Sequence, residues 1–510
     1  MNVIRKIWYE KPLSVIIVLA VCIRLVAAFF ARGFGMFDDH FLVIEPAAAW
    51  TDGYNYNYWL PMGDPSRVPS GHSFFYVGIH YILISVLKFL GISAPWLIML
   101  VLRLIHAAWS LVVVVVGYRI AQRYGSRKAA TTAGLVLALL WFLPWASVRN
   151  LVETACIPFL VMAVWWLIRN DKHFVRNAIF AGFMAGLAFS VRFQVVFFSF
   201  GIGLALLLQR RWLQGLLYGL AFVISVIVVQ GGIDLYVWGR PFAELTEYIR
   251  YNADNAYSYF TGEWYNYLLL ILGILIPPVS FFFFFGIIAR FRRLLLISLP
   301  TLIFLLFHMW FPNKQERFIF PILPFIVIAG TIGWFAFRDK SIFWMRHAGI
   351  HRAVWTFFWV INLMLLPVIS TMFSKKARVE SMEYLSRYPD MTSILLEGTA
   401  TNAPKQMPMF YAQQWFFQLE MNGQDNADTL DFFFARVPHA EPRFVLFFSN
   451  EEMPRRLETA RRFMPQLIYE TTIEPSFVDK VLHWMNPYNA NETIVIFRNR
   501  KFYPTESVNP

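Results

Sequence analysis

The residues LSVIIVLAVCIRLVAAFFA at positions 13–31, followed closely by Met36-Phe37-Asp38-Asp39-His40-Phe41 and then by Glu45, decide how this chain is read. The first stretch is apolar and long enough to cross a bilayer. The acids that come straight after it therefore sit where lipid headgroups meet water, a place where charge is costly and usually has a purpose. Most acidic pairs do no more than keep a loop solvated. At the mouth of a membrane helix, Asp38 and Asp39 also suit a membrane-surface active site, and the rest of the chain bears on that choice.

The chain has 510 residues, 58% of them hydrophobic, 18% aromatic and only 15% charged, with a mean hydropathy of +0.50. A water-soluble protein of this length carries more charge, so the composition indicates a polytopic α-helical membrane protein. The net charge is +13. Its lysines and arginines lie in short loops between apolar runs, where they act as orientation signals. No nucleic-acid partner is expected. Cys22 and Cys156 both fall in apolar runs, which argues against a disulfide framework or a cysteine metal site. Residues 1–11 are basic like the start of a signal peptide, but the run after them is too long and lacks a cleavage site, so it reads as a retained anchor.

Further apolar runs lie at 96–118, 129–148, 151–168, 178–208 (two, broken near Arg192), 213–230, 265–289, 294–311, 319–337 and 353–373. With the first run they make about eleven transmembrane helices. Residues 74–90 are apolar but at the short limit for crossing. If they make no net crossing, the basic loops around Arg119, Arg169, Arg210, Arg290 and Arg338 all share the cytoplasmic side with Arg5 and Lys6. This stretch is accordingly predicted to be interfacial or re-entrant. Loops 32–73, 231–263 and 311–318, and everything after about 374, are then expected on the non-cytoplasmic face. Two domains are predicted: 1–373 in the membrane and 374–510 as a soluble α/β domain. In the latter, charged helical stretches at 375–387 and 454–464 alternate with strand-like runs at 393–396, 444–449, 467–473 and 493–498. Asn491-Glu492-Thr493 has the form of a glycosylation sequon.

Several polar residues interrupt this pattern. Arg149 and Glu153 are four apart, which on a helix gives one face carrying either a local ion pair or part of a site. Arg24 and Arg192 lie inside apolar runs and need a cavity or a carboxylate partner. In Asn313-Lys314-Gln315-Glu316-Arg317-Phe318, Lys314 and Arg317 suit a phosphate clamp, or snorkelling to headgroups. Arg67 shares the first long loop with the aspartates and joins them as a candidate substrate-binding cation. His40, His72 and His80 make no metal-ligand spacing with the acids, so no metal is predicted. No glycine-rich nucleotide loop follows a strand, which points away from ATP or sugar-nucleotide and toward a lipid-linked donor. The aromatic loop 50–59 can stack on sugars or form an interfacial belt.

Taken together, these blocks resemble the lipid-phosphate-mannose-dependent mannosyltransferases of glycosyltransferase family 22, which have the GT-C membrane fold. The family's opening acidic block is similar to Met36-Phe37-Asp38-Asp39 with Glu45, although Met36 and Phe37 replace its His-Pro. Its Arg-Asn-Leu and Glu-Thr block is similar to Arg149-Asn150-Leu151-Val152-Glu153-Thr154. Its Asp-to-Tyr-Asn loop is similar to Asp234, Trp238-Gly239-Arg240-Pro241 and Tyr251-Asn252. Its last block is similar to Asn313 through Phe318 with Pro321 and Pro324, and covers the most distinctive spacing. The resemblance implies inverting transfer of mannose or a similar hexose from a polyprenyl- or dolichyl-phosphate donor to a glycan or glycolipid acceptor. That work is done on the non-cytoplasmic face of a bacterial inner membrane or the endoplasmic reticulum, among membrane lipids and with no cofactor. With it, Asp38 is expected as base with Asp39 beside it, and His40, Glu45, Arg149, Glu153, Lys314 and Arg317, together with Arg67 and Arg192 read from their positions, are expected around the substrates. A transporter or flippase of polyprenyl-linked glycans is the alternative, but it should show internal hydropathy symmetry, which is not seen. A membrane scaffold leaves the intramembrane arginines without a purpose.

Overall fold

A computed structural model describes residues 8–64, 66–169, 171–401, 405–422, 424–437 and 440–504. Each apolar run carries helix, because a long apolar segment in lipid satisfies its backbone only by bonding to itself. Among the described residues, seven helices are long and apolar enough to cross a membrane: Pro12–Phe30, Pro95–Tyr124, Val152–Arg169, Phe174–Val191, Trp212–Trp238, Glu316–Arg338 and Ala348–Ser370. The run at 265–289 is not one straight span. It breaks at Pro277-Pro278 into Asn266–Ile274 and Val279–Ala289, bent by 115°, and counts as an eighth only if the pair is a single crossing. Two prolines in succession remove two helix donors, which explains the break. Phe193–Leu208 and Leu295–Trp310 are shorter apolar helices, and Arg127–Leu139 stops before a separate turn at Leu143–Ser147. Those three complete the eleven runs. Phe74–Phe89 has 16 residues, about 24 Å of helix and shorter than a bilayer core of about 30 Å.

The chain forms two compact units, and neither is continuous in sequence. The first comprises Met1–Phe29, Asn57–Ile82 and Leu100–Thr371. Its helices meet through small residues. A Cβ on Gly333 would fall 1.8 Å from the carbonyl oxygen of Gly286, and one on Gly182 would fall 2.2 Å from that of Tyr218. Backbones this close are the membrane substitute for a hydrophobic driving force, since packing replaces water exclusion there. Arg24, expected to need a partner, donates to Ser110 Oγ at 2.8 Å and to the carbonyls of Ala138 and Leu137 at 3.0 and 3.3 Å. Its charge is solvated by the bundle itself.

The second unit comprises Phe30–Tyr56, Leu83–Met99 and Met372–Pro510, so it joins two segments from the sequence-predicted membrane part to the C-terminal region. Its centre is a five-stranded sheet of β1 (Ser393–Glu397), β2 (Phe417–Met421), β3 (Phe444–Phe448), β4 (Leu467–Ile473) and β5 (Ile494–Asn499), in the order β2-β1-β3-β5-β4. β1 is parallel to β2 and β3, while β5 runs antiparallel to β3 and β4. Every residue of β1, β3 and β5 is buried, as expected of strands covered on both faces. β2, with its more polar FQLEM, is an edge. Leu395, Val445, Phe447 and Phe497 pack with Met421 and Met464 in the core.

Candidate functional site

In the second unit, the acidic block folds as a tight turn. Helix Asp38–Phe41 starts after Phe37, whose backbone is held at φ 55 and ψ −55. That region is sparsely populated for a residue with a side chain and costs of order 1–3 kcal/mol, so the surroundings must enforce it. Asp39 does part of this. It is buried, and its carboxylate accepts from the amides of Gly35 at 3.0 Å and Met36 at 3.2 Å, closing the turn. Asp38 stays half-exposed. The two adjacent aspartates are therefore different kinds of group.

His40 and Glu45 form a buried pair, with Nε2 to Oε1 at 2.9 Å. The same Glu45 oxygen accepts from the amide of Phe410 at 2.9 Å, and the His40 ring stacks on Phe34 and Tyr411. His40 Nδ1 and Glu45 Oε2 are buried without a hydrogen-bond partner among the described residues. The block is tied to the C-terminal region at its start as well. Gly33 makes a parallel bridge to Ser374, whose amide donates to Arg32 O at 3.1 Å. At φ +69, with a would-be Cβ only 1.9 Å from Ser374 O, position 33 admits glycine alone.

Beyond Ser374 come two cations that the sequence reading does not single out. Lys375 and Arg378 are buried, and both lie over the Phe37 ring, at 5.3 and 5.7 Å from its centre. Burial beside Arg378 pulls the Lys375 ammonium down to about 8, and burial lowers Arg378 to about 10. The Asn491 side chain, acceptor position of the sequon, is buried and accepts from Lys375 Nζ at 2.8 Å while donating to Asp479 O at 3.2 Å.

The first unit holds a second polar cluster. Glu153, fully buried, pairs with Arg192 and lies 3.7 Å from Arg317 Nε. Arg192 also donates to Gln194, whose Oε1 is 3.4 Å from His308 Nε2. Arg192 and Arg317 both sit over the ring of Phe318. Arg192 thus finds the carboxylate partner that its position demanded. The spacing of Arg149 and Glu153 does not act as predicted: one helix ends at Ser147 and the next starts at Val152, so the two do not share a helical face. Arg149 is buried against Trp145 instead.

Lys314 and Arg317 also part company. The Lys314 ammonium donates to the carbonyls of His308 at 2.8 Å, Met309 at 2.9 Å and Phe311, capping the C-terminal end of helix Leu295–Trp310. A cation there complements the negative end of the helix dipole. Arg317 instead turns toward Glu153 and is held by Gln315 Oε1 at 2.9 Å. Arg67 is more exposed, paired with Asp64 at 3.5 Å and lying over Tyr58. The loop block from Asp234 onward contains a carboxylate that the sequence reading passes over. Glu244 is buried and accepts from Ser70 Oγ and the amides of Gly71 and His72, at 3.0, 2.6 and 3.1 Å, and from Trp238 Nε1 at 2.9 Å. Burial raises it to about 7 against the pull of those bonds. Its place is to pin loop 70–72.

Among the described residues, no group of three or more His, Cys, Asp or Glu side chains has the arrangement to hold a metal ion. What the two clusters offer is a half-exposed carboxylate on a rigid turn and a buried group in which two guanidiniums meet one carboxylate.

The sequence profile described as the Alg9-like mannosyltransferase family matches residues 15–404. GPI mannosyltransferase 3 of Saccharomyces cerevisiae is 25% identical over 174 residues, covering 32% of this chain and 28% of the yeast protein. Alpha-1,2-mannosyltransferase ALG9 of Mus musculus is 25% identical over 248 residues, or 43% of this chain and 40% of the mouse protein. Both matches span less than half of the relative. A longer one, 21% identical over 402 residues, covers 73% of GPI mannosyltransferase 3 of Yarrowia lipolytica and 76% of this chain. Among solved structures, ArnT from Cupriavidus metallidurans bound to undecaprenyl phosphate superposes with a TM-score of 0.63, covering 95% of this chain and 97% of that one at 12% identity. That likeness concerns the fold, which is of the GT-C kind.

Proposed function

Because the chain belongs to the Alg9-like mannosyltransferase family, we propose that it is an inverting glycosyltransferase. It moves mannose or a similar hexose from a polyprenyl- or dolichyl-phosphate donor to a lipid-linked glycan or glycolipid acceptor on the non-cytoplasmic face. The observation that carries the reading is the Glu153, Arg192 and Arg317 cluster. Two guanidiniums around one carboxylate leave the trio with a net positive charge in a buried place. Arg192 Nε and Glu153 Oε2 have no hydrogen-bond partner there among the described residues. A lipid phosphate is the anion that reaches such a site from within the bilayer, and guanidinium is the cation suited to hold it.

In this scheme Asp38 takes the proton from the acceptor hydroxyl as that oxygen attacks the anomeric carbon. The bond from that carbon to the phosphate oxygen breaks, and its electron pair leaves with the phosphate. A phosphate whose growing charge is neutralised needs no proton to depart, so one base and a basic phosphate site suffice without a general acid. Arg317 and Arg192 serve the phosphate, while Lys314 holds the loop that carries Arg317. His40, Glu45 and Asp39 keep Asp38's turn in shape. The non-cytoplasmic placement rests on the basic loops, which the positive-inside rule assigns to the cytoplasm.

The test is to supply purified full-length protein, in membranes containing candidate glycolipid acceptors, with radiolabelled polyprenyl-phosphate mannose. Label appearing in a larger lipid-linked glycan, with inverted anomeric configuration, is the expected result. Label that only changes leaflet without forming a new glycosidic bond would replace the transferase reading with lipid translocation.

A further inference from the structure

The block that carries Asp38 is held by residues more than three hundred positions downstream, and the hold is centred on the one residue whose backbone is strained. Phe37 stands at φ 55. Its carbonyl accepts from the amides of His40 and Phe41 at 2.9 and 2.8 Å, so the orientation of Phe37 sets the helical turn on which Asp38 rides. Phe34 and Phe41 contact its ring at centroid distances of 5.6 and 5.7 Å. The ring also lies under the Lys375 ammonium and the Arg378 guanidinium, both within the roughly 6 Å at which a cation is drawn to an aromatic face.

Neither cation is a loose surface charge. Lys375 Nζ donates to Asn491 Oδ1 and to the carbonyl of Asn489. Arg378 donates to Ala490 O at 3.2 Å and Gln406 O at 3.0 Å, and pairs with Glu492 at 3.5 Å. The backbone beneath them is fixed as well: the Asp479 carboxylate accepts from the amides of Lys375 and Lys376 at 3.2 and 3.1 Å. A buried ammonium next to a guanidinium is an expensive way to fill space, since apolar side chains of the same volume usually do it at least as well. The burial that lowers both groups expresses that cost. What the pair supplies that apolar side chains do not, beyond these hydrogen bonds, is attraction to aromatic faces: that of Phe37 for both cations and, for Arg378, also that of Phe448 at 4.8 Å.

We propose that Lys375 and Arg378 are positioning residues for the transfer reaction: by engaging the face of Phe37 they fix the strained turn and hold Asp38 in the orientation its proton transfer needs. This rests on the reading of Asp38 as the base. It gives the C-terminal region a part in the chemistry although none of its residues need touch a substrate. A misplacement of the base by about an ångström costs of order a hundredfold in rate, so a contact that only orients is enough to matter.

The experiment uses the full-length protein in detergent or nanodiscs, with initial transfer rates measured against polyprenyl-phosphate mannose concentration and thermal unfolding followed in parallel. The variants are Phe37→Leu, Phe37→Tyr, Lys375→Met, the pair Phe37→Leu with Lys375→Met, and Asp38→Asn. Phe37→Leu keeps apolar bulk but removes the aromatic face, and is expected to lower kcat about tenfold or more with the donor KM within about twofold. Phe37→Tyr restores the face and should restore most of kcat; a purely structural role instead predicts unchanged kcat per folded molecule in Phe37→Leu, with its loss confined to thermal unfolding. The pair should be no worse than Phe37→Leu alone, because both changes remove one contact. Should Lys375→Met fail to fold, the Leu and Tyr variants at position 37 still decide the matter. Full kcat in folded Phe37→Leu, or equal losses in Leu and Tyr, would overturn the proposal while an inactive Asp38→Asn left the base assignment standing. A fully active Asp38→Asn would remove the base, and the positioning role with it.

Discussion

Two adjacent aspartates make an internal control, because the structure predicts that the same conservative change does opposite things at each. Asp38→Asn alters a half-exposed carboxylate. It keeps size and hydrogen-bonding capacity but loses basicity, so transfer should fall by about 10² to 10⁴, equivalent to roughly 3–5 kcal/mol on the barrier. Stability should move by less than about 1 kcal/mol, as for most changes outside the core. Asp39→Asn alters a buried carboxylate whose two oxygens accept from the amides of Gly35 and Met36. An amide can keep one of those bonds but turns a donor toward the other N–H. Losing one charge-assisted bond and stranding one buried donor costs about 2–4 kcal/mol of stability. Its rate, corrected for folded fraction, should fall less than that of Asp38→Asn. The assay pairs transfer from labelled donor with thermal unfolding of each purified variant. If Asp38→Asn lost stability and kept its rate while Asp39→Asn did the reverse, the roles given to the two side chains would be wrong.

Other expectations follow from the same geometry. Arg317→Lys keeps the charge but loses the planar fork beside Glu153, so kcat should drop at least tenfold at saturating donor; unchanged kinetics would mean that Arg317 only anchors its loop. Lys314→Gln removes the charge from three helix-end carbonyls, and should lower the unfolding temperature more than it lowers the rate per folded molecule; a large rate loss at unchanged stability would return Lys314 to the phosphate. The Lys375 ammonium, lowered to about 8, faces Arg378 from the helix that starts just after it, Lys376–Leu385, and Asp479, Glu492 and Asp39 from other segments. It is charged below pH 8 and loses its charge above, so kcat should decline as pH rises through about 8. The burial cost of that charge is relieved over the interval from 8 to the ordinary 10.5, so this group makes the fold more stable there, not less. A decline that persists unchanged in Lys375→Arg would assign the alkaline limb to another group. Finally, a cysteine at the exposed Arg455, in a Cys22→Ala background, should react with an impermeant maleimide only from the non-cytoplasmic side; labelling from the cytoplasm alone would invert the topology.

The helices were legible in the sequence because apolar runs of membrane length have only one economical backbone arrangement. Breaks were legible only where a residue type announces them. Arg192, charged in an apolar run, marks the break before Phe193, whereas at 148–151 the helix stops without a glycine or proline and the Arg149–Glu153 spacing misleads. At 277–278 the prolines are present, but the surrounding phenylalanines and isoleucines carry the eye across them. Four of the five strands could be read from composition. β2 does not stand out: FQLEM alternates, with Leu419 and Met421 toward the core, but five residues with an exposed Phe417 make a weak signal at a sheet edge. At the candidate site, Glu153, Arg192 and Arg317 stand out as charges in apolar surroundings. Lys375 and Arg378 do not, because in a charged helical stretch nothing local distinguishes a lysine facing a ring from one facing water.

The ties between the Asp38 block and Ser374, Lys375, Arg378 and Phe410 set an order on biosynthesis. The acidic turn precedes in the chain the groups that shape it, and Asn491 and Glu492, which fix the two cations, come later still. Until those later residues are made, the contacts that hold the turn from the C-terminal side cannot form. A chain that stops before Lys375 would therefore carry the Asp38 turn without the cations that engage the Phe37 ring.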